Sequence, residues 1–206
     1  MLLSSCLIRR AVIMRRHVNR IDLLAGQPKR HGTFGLMWWI NKISNQVEVD
    51  RIKEVGPEQA AAEWLIRNGA KVKWRTQNNW QVKYERDPNV PSDDFLEAID
   101  GTDSSIMSIG FDHLENLRGV DQVVLRRCPL LDDEALNKLS LISHSLNNLH
   151  IISCYRVTDT GINYLVKLKN LNYLKIFDLP EVKDAKKLEE YLKSELPDCH
   201  VCWPRA

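Results

Sequence analysis

The sequence predicts an α/β protein in which a small helical N-terminal domain precedes a short solenoid of strand–turn–helix units. Three observations predict it. A pattern recurs about every 25 residues through the second half; a tryptophan-dense stretch without that pattern precedes it; and a basic leader precedes both. A unit that cannot bury its apolar face alone must stack on its neighbours, so the repeat fixes an architecture before any function is considered.

One copy runs from Leu149 through Cys154, Val157-Thr158-Asp159-Thr160-Gly161 and Ile162 to Leu165. Anchored on the Cys154 slot, the copies begin their turns at Asp103, Cys128, Cys154 and Leu179, which are 25, 26 and 25 residues apart. Five positions upstream stand Ala98, Val123, Leu149 and Leu174; three upstream stand Asp100, Leu125, Ile151 and Ile176. Positions two apart share one face of an extended strand. Downstream, Phe111 and Leu114, Leu136 and Leu139, and Ile162 and Leu165 hold the i, i+3 spacing of a helix. The period, the strand and the small inner cysteine together describe a cysteine-type leucine-rich-repeat solenoid of about four units over residues 95–206.

Thr158 and the Asp132-Asp133 pair stand where helix caps belong, just ahead of apolar helical positions. Cys128 and Cys154 read as small packing residues of the inner layer. The first unit is degenerate, with Asp100 and Asp103 in apolar slots, and the last lacks the Thr-Asp-Gly turn; atypical ends are expected of capping repeats.

Residues 34–94 carry Trp38, Trp39, Trp64, Trp74 and Trp80 and no repeat. Lys42–Glu54 and Pro57–Asn68 are expected to be helices, separated at Gly56-Pro57 with Pro at a helix start and Gly69 at its end. Pro88-Asn89-Val90-Pro91 reads as an extended linker. Residues 1–33 set Arg9, Arg10, Arg15, Arg16, Arg20, Lys29 and Arg30 against Asp22 alone, although the whole chain carries only +2. Arginines interleaved with aliphatic residues and almost no acid describe a mitochondrial transit peptide, with cleavage expected between Arg20 and Phe34. The apolar run Phe34-Gly35-Leu36-Met37-Trp38-Trp39-Ile40 has two readings: core of the small domain, or a contact with a bilayer interface through Phe34, Trp38 and Trp39.

Enzyme signals are weak. No phosphate-binding glycine loop and no nucleophile elbow is present, and the six histidines show no metal-ligand spacing. Asp100-Gly101-Thr102-Asp103 lacks the spacing of a calcium loop. Cys199 and Cys202 fall three apart in an expected strand, on opposite faces, with no second ligand pair for zinc.

The runs Val49–Ala61, Glu63-Trp64-Leu65, Ile106–Leu114, Ile151-Ile152-Ser153-Cys154, Val157-Thr158-Asp159 and Asp178-Leu179-Pro180 resemble the mitochondrial coupling factor B (ATP synthase subunit s) family, close to the distal membrane arm assembly component 2-like family. The resemblance covers about residues 34–197. It implies a non-catalytic protein, peripheral on the matrix side of the mitochondrial inner membrane, that supports ATP synthesis by limiting proton leak at the membrane sector of the ATP synthase. It also implies a Mg2+ ion where the two domains meet, at positions corresponding to Gly56 and Asn89; carbonyl and amide oxygens suit such a hard cation. The vicinal Cys-x-Cys of vertebrate members becomes Arg126 and Cys128 here, which puts any dithiol chemistry in doubt.

The function expected is therefore a binding module of the inner membrane, whose partner is either the ATP synthase membrane sector or a complex I assembly intermediate. Nucleic acid is not expected as a partner. A leucine-rich-repeat ubiquitin-ligase adaptor also places a helical domain before its repeats, but its clients are cytosolic and the leader argues against it. On the binding reading the strand face docks a protein, with Arg126 and Arg127 adding polar contacts.

Overall fold

The computed structural model describes residues 32–85 and 90–204. The expected transit peptide therefore lies almost wholly outside the described residues, as does Asn89. The fold is mixed α/β, with a six-stranded sheet and, among the described residues, six α-helices.

The strands are β1 (Lys71–Trp74), β2 (Leu96–Asp100), β3 (Gln122–Arg126), β4 (Asn148–Ile152), β5 (Tyr173–Phe177) and β6 (His200–Cys202). They lie side by side in chain order. β1 pairs antiparallel with β2, and every later pair is parallel. Parallel neighbours need a crossover connection. Here it is supplied by a 3-10 helix at Ser108–Leu114, by α4 (Asp133–Lys138) with the turn Leu139–Ile142, by α5 (Asp159–Tyr164) with Leu165–Lys167, and by α6 (Ala185–Glu195).

Strand alternation sorts the side chains. Ile99, Val123, Leu149, Leu174 and Val201 stand in one cross-strand row and Leu125, Ile151 and Ile176 in another, all buried. Below them the crossovers contribute Leu114, Leu139 and Leu165 to one continuous core. Neighbouring crossovers are tied by acids. Asp132 caps α4 by accepting from the Ala135 N–H at 3.1 Å, and Thr158 caps α5. Asp133 reaches the next turn, accepting from the Thr158 N–H at 2.8 Å and hydroxyl at 2.6 Å, and Asp159 does the same for the Lys183 N–H at 2.8 Å.

The first copy sits one residue later than the sequence spacing places it. Ile99, not Ala98, pairs with Val123, and Asp100 pairs with Val124 on the open face. Asp103 shares its left-handed backbone with Arg127, Ser153 and Asp178, so Ser104 takes the place of Cys128, 3.6 Å from its Sγ. Ile106 then resumes the expected register after a loop one residue shorter. The physical reason is polarity. The shift moves Asp100 out of the core into an ion pair with Lys71 at 3.6 Å, and puts Gly101 in the inner slot beside Leu125.

The helices before the sheet are α1 (Gly32–Ser44), α2 (Val49–Val55) and α3 (Pro57–Arg67). The continuous helix expected over Lys42–Glu54 is thus broken at Asn45, and the strand β1 was not expected. The break has a cause: the Asn45 side chain is wholly buried and engaged elsewhere. Its Nδ2 donates to Asn41 O (2.8 Å), Asn68 Oδ1 (2.9 Å) and Ser105 O (3.0 Å), and its Oδ1 accepts from Trp64 Nε1 (3.1 Å) and the Met107 N–H (2.9 Å). Asn68 answers with bonds to Ser44 O and Trp64 O, both at 2.9 Å. Trp64 itself lies flat on His113 and edge-on to Phe111. Gly110 passes so close beneath the indole that a Cβ there would overlap it.

Replacing Asn45 by Ala strands several buried donors and acceptors at once. A loss of about 3 kcal/mol or more is expected, read as a lower urea midpoint at unchanged m-value.

Candidate functional site

Two surfaces stand out, and the Asn45 junction relates one to the other. The first is α1. The junction seizes only its C-terminal turn, through Asn41, Ser44 and Asn45. Along the rest, Leu36, Met37, Trp38, Trp39 and Ile43 are exposed, Trp38 at 48 % and Trp39 at 58 %. Lys42 lies over the Trp38 ring at 5.3 Å. Phe34 belongs to the same helix. Of the two readings of this stretch, packing in a core does not apply to Trp38 and Trp39. No helix among the described residues is long and apolar enough to cross a membrane.

The second surface is the open face of the sheet, carrying the alternate residues of β2–β6. One row is Ala98, Gln122, Asn148, Tyr173 and His200; the next is Asp100, Val124, His150, Lys175 and Cys202; the third is Arg126, Ile152 and Phe177. Tyr173 stands between two imidazoles, edge-on to His150 and stacked on His200, each at 5.6 Å. Arg126, Phe177 and His200 are exposed and the rest of β4 and β5 on this side is half-buried. Burial, and after it the charge of Lys175, hold the His150 pKa below the ordinary histidine value. Arg127, expected on this face, lies instead in the adjoining turn, where its guanidinium grips Asp103 by two bonds of 2.7 and 2.6 Å.

The expected metal position at Gly56 is a sharp corner between α2 and α3, with φ +82° and its carbonyl accepting the Ala60 N–H at 3.1 Å. Farther along α3 Glu63 is buried and receives Arg51 at 2.7 and 2.9 Å, Gln59 at 3.1 Å and the Tyr84 hydroxyl at 3.1 Å. Burial alone would raise the Glu63 pKa, but these donors outweigh it and hold the carboxyl ionised. Gln59 keeps a buried Oε1 with no hydrogen-bond partner among the described residues. Among them, too, no group of three or more His, Cys, Asp or Glu side chains is placed to hold a metal ion.

The described cysteines are free thiols, and Cys128 and Cys154 are fully buried. Cys128 donates to Gly101 O at 3.0 Å. Its hydrogen bond with Cys154, and then burial, push its pKa up, so it packs as a thiol.

This arrangement of helices and sheet goes with a sequence likeness. The chain is 44% identical over 167 residues to "ATP synthase subunit s, mitochondrial" of Pongo abelii and 45% identical over 167 residues to the Bos taurus protein of the same name. In both cases 79% of this chain and 84% of the relative are covered. The chain belongs to the ATP synthase subunit s family. A more distant relative of this family member is "Distal membrane arm assembly component 2" of Drosophila melanogaster, 24% identical over 173 residues, covering 78% of this chain and 60% of that one. No family model matches the chain.

Sequence reading missed three features of this subunit s relative: the Tyr173 ladder, the Gln59–Glu63 cluster and His113. The ladder was within reach, because period-2 alternation in Tyr173–Phe177 puts Tyr173, Lys175 and Phe177 on one side. The other two depend on contacts between distant segments. His113 is buried against Trp64 at 5.3 Å, with Nε2 3.4 Å from Gln46 O and Nδ1 unpartnered among the described residues. Burial is the main cause that lowers its pKa, opposed by the Gln46 carbonyl.

The unfolded chain therefore binds the His113 proton more readily than the folded one. The stability linked to it is complete above the unfolded pKa and is lost as pH falls toward the lower folded value. Urea midpoints are expected to drop as the pH falls below the ordinary histidine value of about 6.5. His113→Phe, which keeps the stack on Trp64, is expected to flatten that part of the profile.

Proposed function

We propose that the protein is a non-catalytic coupling factor, peripheral on the matrix side of the mitochondrial inner membrane, that supports ATP synthesis by limiting proton leak at the ATP synthase membrane sector. The observation that carries this reading is membership in the subunit s family, whose relatives are named for the mitochondrion and the ATP synthase. The geometry supports it in two ways. Trp38 and Trp39 stand out from α1, where aromatic side chains favour the membrane interface. The open sheet face offers a rigid surface for a protein partner. On this reading residues 1–33 are a transit peptide, residues 34–94 a small N-terminal domain and residues 95–206 leucine-rich repeats; the recurrent parallel strand, turn and helix support the last assignment.

The Mg2+ ion belongs to the same proposal. The Gly56 carbonyl and the unpartnered Gln59 Oε1 are oxygens of the kind such an ion prefers, and with Asn89 they would hold it. Bound there, it would neutralise local negative charge and tie the α2–α3 corner to the segment that carries Asn89. A second reading, assembly of the complex I membrane arm, is favoured by the Drosophila relative named for that role.

Depleting the protein is expected to raise proton leak in inner-membrane vesicles, and adding back the wild type to lower it. A Trp38→Ala, Trp39→Ala double variant with a wild-type urea midpoint is expected not to restore the seal. Full rescue by that variant removes the membrane contact, and unchanged leak on depletion removes the coupling role. Affinity capture from solubilised inner membranes separates the clients, because ATP synthase subunits support the first reading and complex I subunits the second. For the ion, magnesium chloride is expected to raise the melting temperature of the wild type and to leave Gln59→Ala and Asn89→Ala variants unmoved.

A further inference from the structure

We propose that the open face of β3–β5 binds an acidic protein segment that lies across the strands, seating an apolar side chain on Ile152 and Phe177 and placing carboxylates on Arg126 and Lys175. The inference rests on the docking role proposed above and names the chemistry of the partner.

Charge bookkeeping on the face leads there. Its β1–β2 end is neutralised internally: Lys71 faces Asp100 at 3.6 Å and Lys73 faces Glu97 at 2.7 Å. In the adjoining turn Arg127 is matched by Asp103. Over β3–β6 the balance changes. Arg126 and Lys175 take part in no ion pair among the described residues, and no carboxylate stands in the rows that hold them beyond Asp100, which Lys71 has taken. Beside the face, Arg156 and Asp178 are exposed in the turns, and Asp121, at the opposite end of the strands, is held by the Asn147 amide at 2.6 Å. The working face is therefore cationic through Arg126 and Lys175.

The apolar part lies between the cations. Arg126, Ile152 and Phe177 form one cross-strand row, and Lys175 is two residues from Phe177 on the same side of β5. Strands are about 4.8 Å apart and residues rise about 3.3 Å along them, so the two cations are separated by about 12 Å of sheet, two strands across and two residues along, with Ile152 and Phe177 beside them. A partly exposed aromatic ring flanked by cations that enter no ion pair among the described residues is matched by an apolar anchor between acids, in which charge steers the encounter and the ring supplies the contact. Phe177 has 37 % of its surface exposed, and Tyr173 between His150 and His200 extends the aromatic surface along the strands.

His150 reports occupancy, because Lys175 is one of the causes holding its pKa down. A carboxylate over Lys175 screens that charge and lets the imidazole pKa rise. The test titrates the full chain with a fluorescein-labelled peptide alternating glutamate and leucine, using the same peptide with glutamine in place of glutamate as the comparison. Binding is expected for the acidic peptide alone, weakened about tenfold or more by Arg126→Glu, Lys175→Glu or Phe177→Ala, and unchanged by Lys186→Glu on α6. The His150 imidazole, followed by NMR, is expected to titrate at higher pH with the acidic peptide present. Equal binding of the glutamine peptide, or full binding by Lys175→Glu with an unchanged urea midpoint, overturns the proposal. Loss of phosphatidylglycerol-vesicle binding in place of peptide binding would assign the face to lipid and overturn it as well. So would a dimer in sedimentation that Phe177→Ala disperses, since the occupant is then a second copy. Proton leak is a separate readout, so failure of the coupling role and failure of this inference are told apart.

Discussion

The structure depends on one buried amide. Asn45 closes hydrogen bonds to Asn41 in the last turn of α1, to Trp64 on α3 and to Asn68 just beyond its end, and to Ser105 and Met107 in the first turn of the sheet half. A buried amide left unpaired costs as much as several ordinary contacts yield, so the segments that satisfy it are held together. Networks of this kind specify one arrangement more strongly than apolar contact does, because an apolar face tolerates sliding and a saturated amide does not. The same bonds that break the helix at Asn45 fix where α1 leaves the body of the protein.

From that junction outward the molecule grows by repetition. Each of the strands β3, β4 and β5 adds one residue to both inner rows, and successive crossovers are tied by an acid accepting from the following turn, as Asp133 does from Thr158 and Asp159 from Lys183. Contacts run chiefly between neighbours, so stability is passed along the stack and the two ends carry the exceptions. At the first end the exception is electrostatic. An aspartate that would sit in the core is carried to the open face by a one-residue shift, and β1 supplies Lys71 to meet it. That pairing joins the N-terminal segment to the sheet a second time, independently of Asn45.

Rigid backing has a consequence for the two surfaces. The open face is a lattice of side chains held at fixed strand spacing, which suits recognition of an extended partner more than chemistry on a small one. Among the described residues the aromatic helix is held at its C-terminal turn, and its tryptophans are exposed. In the coupling role proposed here, one surface addresses the membrane and the other a protein. The His113–Trp64 stack lies between them, at the root of the helix.

Much of the architecture was legible in the sequence, because burial of a periodic apolar pattern is a local rule that stacking enforces at every copy. The spacing of Val123, Leu149 and Leu174 located the inner rows, and Thr158 and Asp132 marked the caps. Family resemblance, carried by Val49–Ala61 and Ile106–Leu114, was legible as well. The sequence by itself could not place the first copy, since Ala98 and Ile99 are both apolar and only the cost of burying Asp100 decides between them. Nor could it break the helix at Asn45, foresee β1, or show that Arg127 pairs with Asp103 while Arg126 enters no ion pair among the described residues. Those were decided by the tertiary structure, for one reason: polar and charged groups are settled by partners far along the chain, whereas apolar periodicity is written within each repeat.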